Sequence, residues 1–470
     1  MIPAPRPPAF VFDPHACVGC HACAIACINE HQLPPGVFWR QIVTVNPARV
    51  PGMATWHVSV ACNHCLDAPC LRYCPARAIA REPTGAVVID AGRCIGCRYC
   101  SWVCPYDAPR FDAGRGVMHK CTFCTHRLEA GLAPACTSLC PTGALTLGGL
   151  DAEGAATLTG FPASDIRPAI RFVSRRPLPP GPAGLQAAAA DVGATGHVDV
   201  QAIAPAPAPK ISLRSEWTLA TFTFVAIVSV AWAVGALLGG PRVRVLPLLG
   251  LGGAAMALSG SHLGRPERAW RALLNWRHSW LSREVITWPA FLAAVTLWLM
   301  IRPGAPAAGW LAAAIGLGCL FCIDRVYAVM ARVGRPVLDD GAALGAAVFL
   351  AGMLAGAPAL AAAAGLHRLA AFLERGRALG ALPSRDAGPL LDEGARGLSP
   401  ASAAWQHPAL RLGLGLVAPA LIWALAPVSW APAAAACAVA GEAIDRADLY
   451  ASLDVETPRA SAARALAAAL

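Results

Sequence analysis

Four groups of cysteines within the first 140 residues constrain this chain more than any other feature. Group one is Cys17-x2-Cys20-x2-Cys23-x3-Cys27, and group two is Cys62-x2-Cys65-x4-Cys70-x3-Cys74-Pro75. Group three is Cys94-x2-Cys97-x2-Cys100-x3-Cys104-Pro105. Group four is Cys121-x2-Cys124, then eleven residues, then Cys136-x3-Cys140-Pro141. Three thiolates two residues apart, a fourth after three more and a following proline make the spacing that grips a [4Fe–4S] cube, the fourth thiolate serving a neighbouring cube. Sixteen thiolates in four groups satisfy four such clusters with none left over.

Because each fourth cysteine crosses to the other cluster of a pair, the groups must pair. Two and three are neighbours in sequence, which leaves one with four to close the domain around them. The predicted ligand sets are Cys62, Cys65 and Cys70 with Cys104; Cys94, Cys97 and Cys100 with Cys74; Cys17, Cys20 and Cys23 with Cys140; and Cys121, Cys124 and Cys136 with Cys27. Structural zinc is the competing use of four cysteines. Group four alone fits it, but in groups one and three a third cysteine two residues on crowds a tetrahedral site. The prolines after Cys74, Cys104 and Cys140 predict that the short helix carrying each fourth cysteine ends there. Short β-type runs, Trp56–Val60 and Gly85–Asp90, fall between the groups. The fold expected is α+β, a double bacterial-ferredoxin-like domain with little apolar core, whose folding is coupled to cluster insertion.

Beyond the cysteines the chain changes class. Of its 470 residues only 14% are charged, against about 25% in soluble domains, and the long apolar runs all begin after Glu216. This predicts an iron–sulfur domain at 1–175, a Pro/Ala-rich linker at 176–214, an all-α polytopic membrane bundle at 215–450 and a tail at 451–470. The predicted spans are 217–240, 245–262, 285–302, 306–323, 341–366, 409–426 and 429–444. The charges of 367–408, from Arg368 to Arg396, do not cross lipid. The formal net charge of +10 reads as arginine beside lipid or an acidic partner, not as nucleic-acid binding, since no lysine-rich run is present. The first residues lack an apolar h-region, so neither a signal peptide nor a disulfide framework is expected.

Cys17-Val-Gly-Cys-His-Ala-Cys-Ala-Ile-Ala-Cys-Ile-Asn-Glu30, Ala61-Cys-Asn-His-Cys65, Cys104-Pro-Tyr-Asp-Ala-Pro109 and Pro134-Ala-Cys136 resemble the four-cluster subunit of the dimethyl sulfoxide reductase family, over residues 10–148. The Arg- and Trp-rich loop from Ser261 to Glu284, with Gly441-Glu-Ala-Ile-Asp-Arg446, resembles the membrane-anchor subunit of the same family, over 216–450. The resemblance implies a natural fusion of the two. It implies that quinol (menaquinol or ubiquinol) gives electrons to four [4Fe–4S] clusters, which pass them to a separate molybdopterin catalytic subunit in anaerobic respiration. It further implies a multi-pass protein of the bacterial cytoplasmic (inner) membrane, in contact with lipid and the quinone pool. Such anchors usually have eight spans where seven are counted here, so seven or eight helices are expected. No Rossmann, P-loop or haem-attachment motif is present, so no substrate-reducing centre is expected in this chain. Two alternatives stand: the same module feeding quinone from a dehydrogenase or hydrogenase, and a zinc-stabilised scaffold without redox function.

None of the twelve histidines falls inside a predicted span, which predicts an anchor without haem, since a b-type haem needs inward histidines at membrane depth. Cys319, Cys322 and Cys437 read as small packing residues. Arginine and lysine fall in near-equal number on both sides, so the positive-inside rule sets no orientation. Quinol oxidation releases protons as well as electrons and needs protonatable groups at the membrane surface. His262 closes the second span and Glu284 opens the third, which sets both at one interface, with Arg265 and Arg283 beside them to steady the quinol oxygens or to anchor at headgroups.

Overall fold

The first strand pairs with the strand that follows the last cysteine group, and that pairing closes the amino-terminal unit. The computed structural model describes residues 7–47, 49, 54–150, 158, 160–173, 210–301, 305–330, 342–380, 411–425, 430–453 and 455–469. The chain forms two units, Met1–Ala208 together with Val455–Leu470, and Pro209–Asp454. Most of the proposed linker, 176–209, lies outside the described residues.

In the first unit β1 (Pro8–Phe12) is the centre of a three-stranded sheet. It runs antiparallel to β8 (Leu145–Gly149), with Phe10 opposite Leu147, and parallel to β9 (Ile170–Phe172). Group one follows β1 and group four precedes β8, so this register brings Cys17 and Cys140 to one end of the sheet. Three two-stranded ribbons separate the groups: β2 (Gln41–Val45) with β3 (Trp56–Val60), β4 (Ile79–Arg81) with β5 (Val87–Ile89), and β6 (Arg110–Asp112) with β7 (Val117–His119). The two β-type runs of the sequence are β3 and β5. The apolar core is small and aromatic, with Phe10 edge-on to Phe123 at 4.8 Å and Phe161 edge-on to Phe172 at 5.0 Å. The carboxy-terminal helix, Pro458–Ala469, packs on β2, where Arg459 donates to Gln41 Oε1 at 2.9 Å.

The helices of this unit are α1 (Ala22–His31), α2 (Pro69–Arg72), α3 (Tyr99–Trp102), α4 (Thr125–Glu129) and α5 (Ala135–Ser138). The expectation that a short helix carries Cys74, Cys104 and Cys140 is corrected, whereas Cys27, the fourth cysteine of group one, lies on α1. α2, α3 and α5 carry the third cysteines Cys70, Cys100 and Cys136, and Cys74, Cys104 and Cys140 lie just beyond their ends. The proline after each of these three cysteines disfavours α conformation at the cysteine itself, so the helix stops before it. Left-handed residues bend the Cys-x2-Cys turns, among them Gly19 at φ +68 and Gly96 at φ +71. At Gly19 a Cβ would also lie 2.8 Å from the His57 ring, so glycine is needed there for conformation and for space.

The second unit is helical. Its helices are α6 (Leu213–Leu237), α7 (Val245–Gly260), α8 (Trp280–Ile301), α9 (Pro306–Ala328), α10 (Ala342–Ala355) and α11 (Pro358–Gly380). A π-turn at Gly413–Val417 leads into α12 (Ala418–Leu425), and α13 (Ala431–Ser452) follows. Three of these, Leu213–Leu237, Trp280–Met300 and Pro306–Ala328, are long and apolar enough to cross a membrane. α6 starts at a capping box, in which Ser212 and Ser215 exchange side-chain-to-backbone bonds at 3.2 Å. Small residues let the helices approach closely: a Cβ on Gly316 would meet Phe291 at 2.8 Å and Val230 at 2.9 Å.

One expectation is corrected in this unit. The single span at 341–366 is two helices, α10 and α11, parted at Gly356, whose φ is +64. Pro358 cannot donate a backbone hydrogen bond and bars α conformation to its predecessor. α10 and α11 then pack on each other, with Gly352 so near Ala361 that a Cβ would lie 2.8 Å from its nitrogen. His367 lies on α11, which is not among the helices long and apolar enough to cross a membrane. With α10 and α11 separate, eight α-helices of unequal length, from 8 to 25 residues, are present among the described residues of this unit.

Candidate functional site

None of the sixteen cysteines of the four groups is joined in a disulfide, and their electrostatic neighbours fall into sets. Cys65 lies against Cys62, Cys104 and Cys70, and burial together with these neighbours drives its thiol far above the usual range. The same four thiols line one cavity with Asn63 and Lys120. Cys97, pushed up to about 12 by burial and then by Cys74 and Cys94, belongs with Cys100, whose neighbours are Cys97, Cys74, Cys70 and Cys94. Cys17 is raised by burial and by Cys23, Cys140 and Cys20. Cys27 is pushed up to about 12 by burial despite Arg40, with Cys136 and Cys124 beside it. The cross-set neighbours run in a line: Cys23 beside Cys136, Cys121 beside Cys62, and Cys70 beside Cys74 and Cys100.

Backbone amides point at the sulfurs. Gly96 and Met118 N–H reach Cys94 Sγ at 3.4 Å, Phe123 N–H reaches Cys121 Sγ at 3.4 Å, and Ala78 N–H reaches Cys74 Sγ at 3.3 Å. At Cys140 burial favours the thiol, but the Leu145 N–H and the Thr142 hydroxyl outweigh it and lower its pKa.

Two buried cations that the cysteine spacing does not announce sit among the thiols. Lys120 Nζ donates to Cys62 Sγ at 3.3 Å and to the Val87 carbonyl. Burial alone would raise Cys62, but His64 and Lys120 bring it down to about 5. Arg40 is fully enclosed beside Cys136, Cys23, Cys121 and Cys27; burial opposes its charge, and these thiols more than restore it. A sequence signal exists for one of them: Lys120, next to Cys121, is one of two lysines among 38 basic residues.

This array fits iron–sulfur clusters better than single ions. Among the described residues no three of His, Cys, Asp or Glu converge closely enough to hold one metal ion, whereas zinc needs all its sulfurs about 2.3 Å from one centre. Several donors, Arg40 Nη2, Asn63 Nδ2, Thr122 Oγ1 and His119 Nε2, are buried without an acceptor among the described residues. Buried donors are almost always paired, and the sulfides of a cube are acceptors of the kind these lack. The sets of thiols would hold the clusters, which supply one-electron redox chemistry when bound.

Residues 53–150 match the family described as 4Fe-4S dicluster domain, and residues 237–362 the family described as DMSO reductase anchor subunit (DmsC). Over 151 residues the chain is 38% identical to a component of the anaerobic dimethyl sulfoxide reductase of Haemophilus influenzae, covering 30% of this chain and 74% of that protein. The chain belongs to the dimethyl sulfoxide reductase family. Within that family it is an iron–sulfur electron-transfer subunit fused to a membrane-anchor domain. It is 41% identical over 145 residues to a component of the tetrathionate reductase of Salmonella typhimurium, 30% of this chain and 57% of that protein, so it spans less than two thirds of that relative. It is also 38% identical over 164 residues to the formate dehydrogenase iron-sulfur subunit of Wolinella succinogenes, 30% of this chain and 81% of that protein.

In the anchor domain of this family member, Glu284 is buried on α8, with no ion pair or side-chain hydrogen bond among the described residues. Its electrostatic neighbours include Cys319 and Cys322 of α9 and the hydroxyls of Tyr327 and Tyr450, which bond to each other beside Thr223. His262 is half-buried past the end of α7, its Nδ1 against the Ser259 carbonyl. Arg283 donates to the Trp276 and Arg277 carbonyls at 2.9 and 2.8 Å and covers the Trp280 ring at 4.2 Å. Arg265 pairs with Glu267 at 3.6 Å. His262, Arg265 and Arg283 are thus each held by partners close to them in sequence, while the surroundings of Glu284 come from other helices.

A second polar centre of this domain gathers around the motif at 441–446. Glu442, fully buried, takes Arg368 Nη1 at 2.7 Å and Arg446 Nε at 2.8 Å. Arg411 bonds Asp445 at 3.2 Å and also Asp448, while Asp324 accepts the Ala343 and Leu344 N–H groups at 2.9 and 3.0 Å. A small cavity beside it is lined by His367, Arg368, Arg411 and Asp445. Glu442 and Asp445 belong to the motif noted at 441–446, but its partners come from α11 and the start of the 411–425 segment, which sequence alone does not bring together.

Proposed function

We propose that this chain passes electrons from membrane quinol through four [4Fe–4S] clusters to a separate molybdopterin catalytic subunit. The observation that carries the reading is the sorting of sixteen thiols into four neighbouring sets, ordered in a line. The ligands proposed are Cys17, Cys20, Cys23 and Cys140; Cys121, Cys124, Cys136 and Cys27; Cys62, Cys65, Cys70 and Cys104; and Cys94, Cys97, Cys100 and Cys74. The two reductase relatives favour quinol as donor, and the formate dehydrogenase relative favours the reverse flow toward quinone as the second reading. The membrane domain is read as a multi-pass bundle of eight helices in the bacterial cytoplasmic membrane. The chain leaves the iron–sulfur unit at Pro209 and rejoins it at Val455, and a chain that returns to its starting side crosses lipid an even number of times. The anchor is read as haem-free: among the described residues His367 is the one histidine within a helix of this domain, and a haem bridging two helices needs two such ligands.

In this reading quinol is oxidised against Glu284. Each quinol yields two electrons, taken singly by the clusters, and two protons, for which the Glu284 carboxylate is the first acceptor. The Tyr327, Tyr450 and Thr223 hydroxyls beside it form a route for moving a proton onward, and His262 with Arg265 and Arg283 stands at the interfacial edge. Reduction of the clusters by a quinol analogue, followed by electron paramagnetic resonance in the complex with its partner, tests this. Glu284→Gln is expected to slow that reduction on the order of 100-fold, the size of a lost proton acceptor, and His262→Ala to slow it less, with iron content unchanged in both. Normal quinol oxidation in both variants would move the site to the cavity beside His367.

A further inference from the structure

Arg40 occupies the place where groups one and four meet. Its side chain is 2% exposed. Nη1 donates to Ser59 Oγ at 2.9 Å, and that oxygen lies 3.7 Å from Cys23 Sγ. The guanidinium carbon stands 4.3 Å from the centre of the Phe10 ring. Nη2 is buried without an acceptor among the described residues. The thiols it acts on are Cys136, Cys23, Cys121 and Cys27. On the ligand sets proposed above, on which this inference rests, Cys23 serves one outer cluster and the other three serve its neighbour.

We propose that Arg40 is a fixed positive charge shared by these two outer clusters, holding both reduction potentials up, with Nη2 donating to a cluster sulfur. Adding an electron to a cube adds negative charge, and cluster potentials follow net charge and hydrogen bonds to the sulfurs. Guanidinium keeps its proton in proteins, and a buried charge is screened far less by salt than a surface one. The Ser59 bond and the Phe10 face fix the group between the two sets. The cluster of Cys94, Cys97, Cys100 and Cys74 is the internal control, because Cys97 and Cys100 have other thiols as their main neighbours. Arg40 thus makes these two clusters easier to reduce than they would be without it.

The test is a redox titration of the full-length chain followed by electron paramagnetic resonance, with iron counted on the same sample. Arg40→Gln is expected to lower the potentials of both outer clusters by about tenfold in the reduction equilibrium, 59 mV for one electron. The control cluster, recognised by its loss in Cys97→Ser, stays where it was, and Arg40→Lys, which keeps the charge, stays close to the parent. If Arg40→Gln does not load iron, Ser59→Asp sets a carboxylate against the guanidinium and is expected to lower the same two potentials. Unmoved outer potentials in a fully loaded Arg40→Gln, or in Ser59→Asp where the first variant fails, overturn the proposal, as does an equal shift in all four clusters. A parent protein without four clusters contradicts the ligand assignment instead, and the iron count separates the two failures.

Discussion

Cys97→Ser is expected to cut electron transfer between quinol and the partner by at least about 100-fold while leaving the membrane domain inserted. Changes merely around a metal ligand cost about 10- to 100-fold, and this change removes a ligand. Cys97 is enclosed by Cys74 and Cys94 and its thiol is pushed up to about 12, first by burial, so a bound iron is what would make it a thiolate. Serine is far harder to ionise in the same place. The sets follow one another in a line whose end is the Cys94 set, reached through Cys70 and Cys74, and a line has no bypass. Iron should fall from about sixteen to about twelve per chain, one cube of four. Quinol-driven turnover of the complex, measured beside iron content, checks both numbers; full turnover with a cluster missing would contradict a linear path.

The second large effect concerns folding of the anchor. Glu442→Gln is expected to destabilise the membrane domain by about 3–5 kcal/mol, the cost of breaking a buried ion pair from one side. One carboxylate holds two arginines, Arg368 at 2.7 Å and Arg446 at 2.8 Å, and Arg446 is 2% exposed. Without Glu442, Arg446 keeps Asp445, at 3.7 Å, and Asp445 already serves Arg411. Removing the second charge as well, in Glu442→Gln with Arg446→Gln, should restore much of the loss, because the pair rather than either residue is what the interior tolerates. Unfolding in detergent, followed by tryptophan fluorescence, reads this. Iron content should not change, since the network lies wholly within the membrane domain. Equal loss in the single and double variants would mean that the carboxylate acts through something other than these arginines.

The cysteine groups are legible because cluster ligation writes itself as local spacing, and the β-runs before groups two and three follow from local alternation. What escapes is non-local. Strand β1, Pro-Ala-Phe-Val-Phe, carries no alternation because successive residues Ala9 to Phe12, on both of its faces, are buried, and its lateral pairing with β8 is what brings Cys17 to Cys140. Arg40 looks like any arginine before a strand until the ribbon of β2 and β3 folds over it. Pro358 is in plain view, yet a hydropathy window averages across a reversal, so two helices read as one span. Arg368 stands in sequence at the start of a charged stretch, and its bond to Glu442 on α13 joins residues that no local pattern brings together. Glu284 stands out in sequence as an acid at the start of an apolar run, but the hydroxyls of Tyr327 and Tyr450 beside it come from helices far along the chain.

The central claim, four cubane clusters on four sets of thiols, is tested most directly by counting metal. Anaerobically purified full-length protein should hold about sixteen irons and about sixteen acid-labile sulfides per chain, four of each for every cube, with zinc at trace level. Stoichiometric zinc with little iron or sulfide would contradict it.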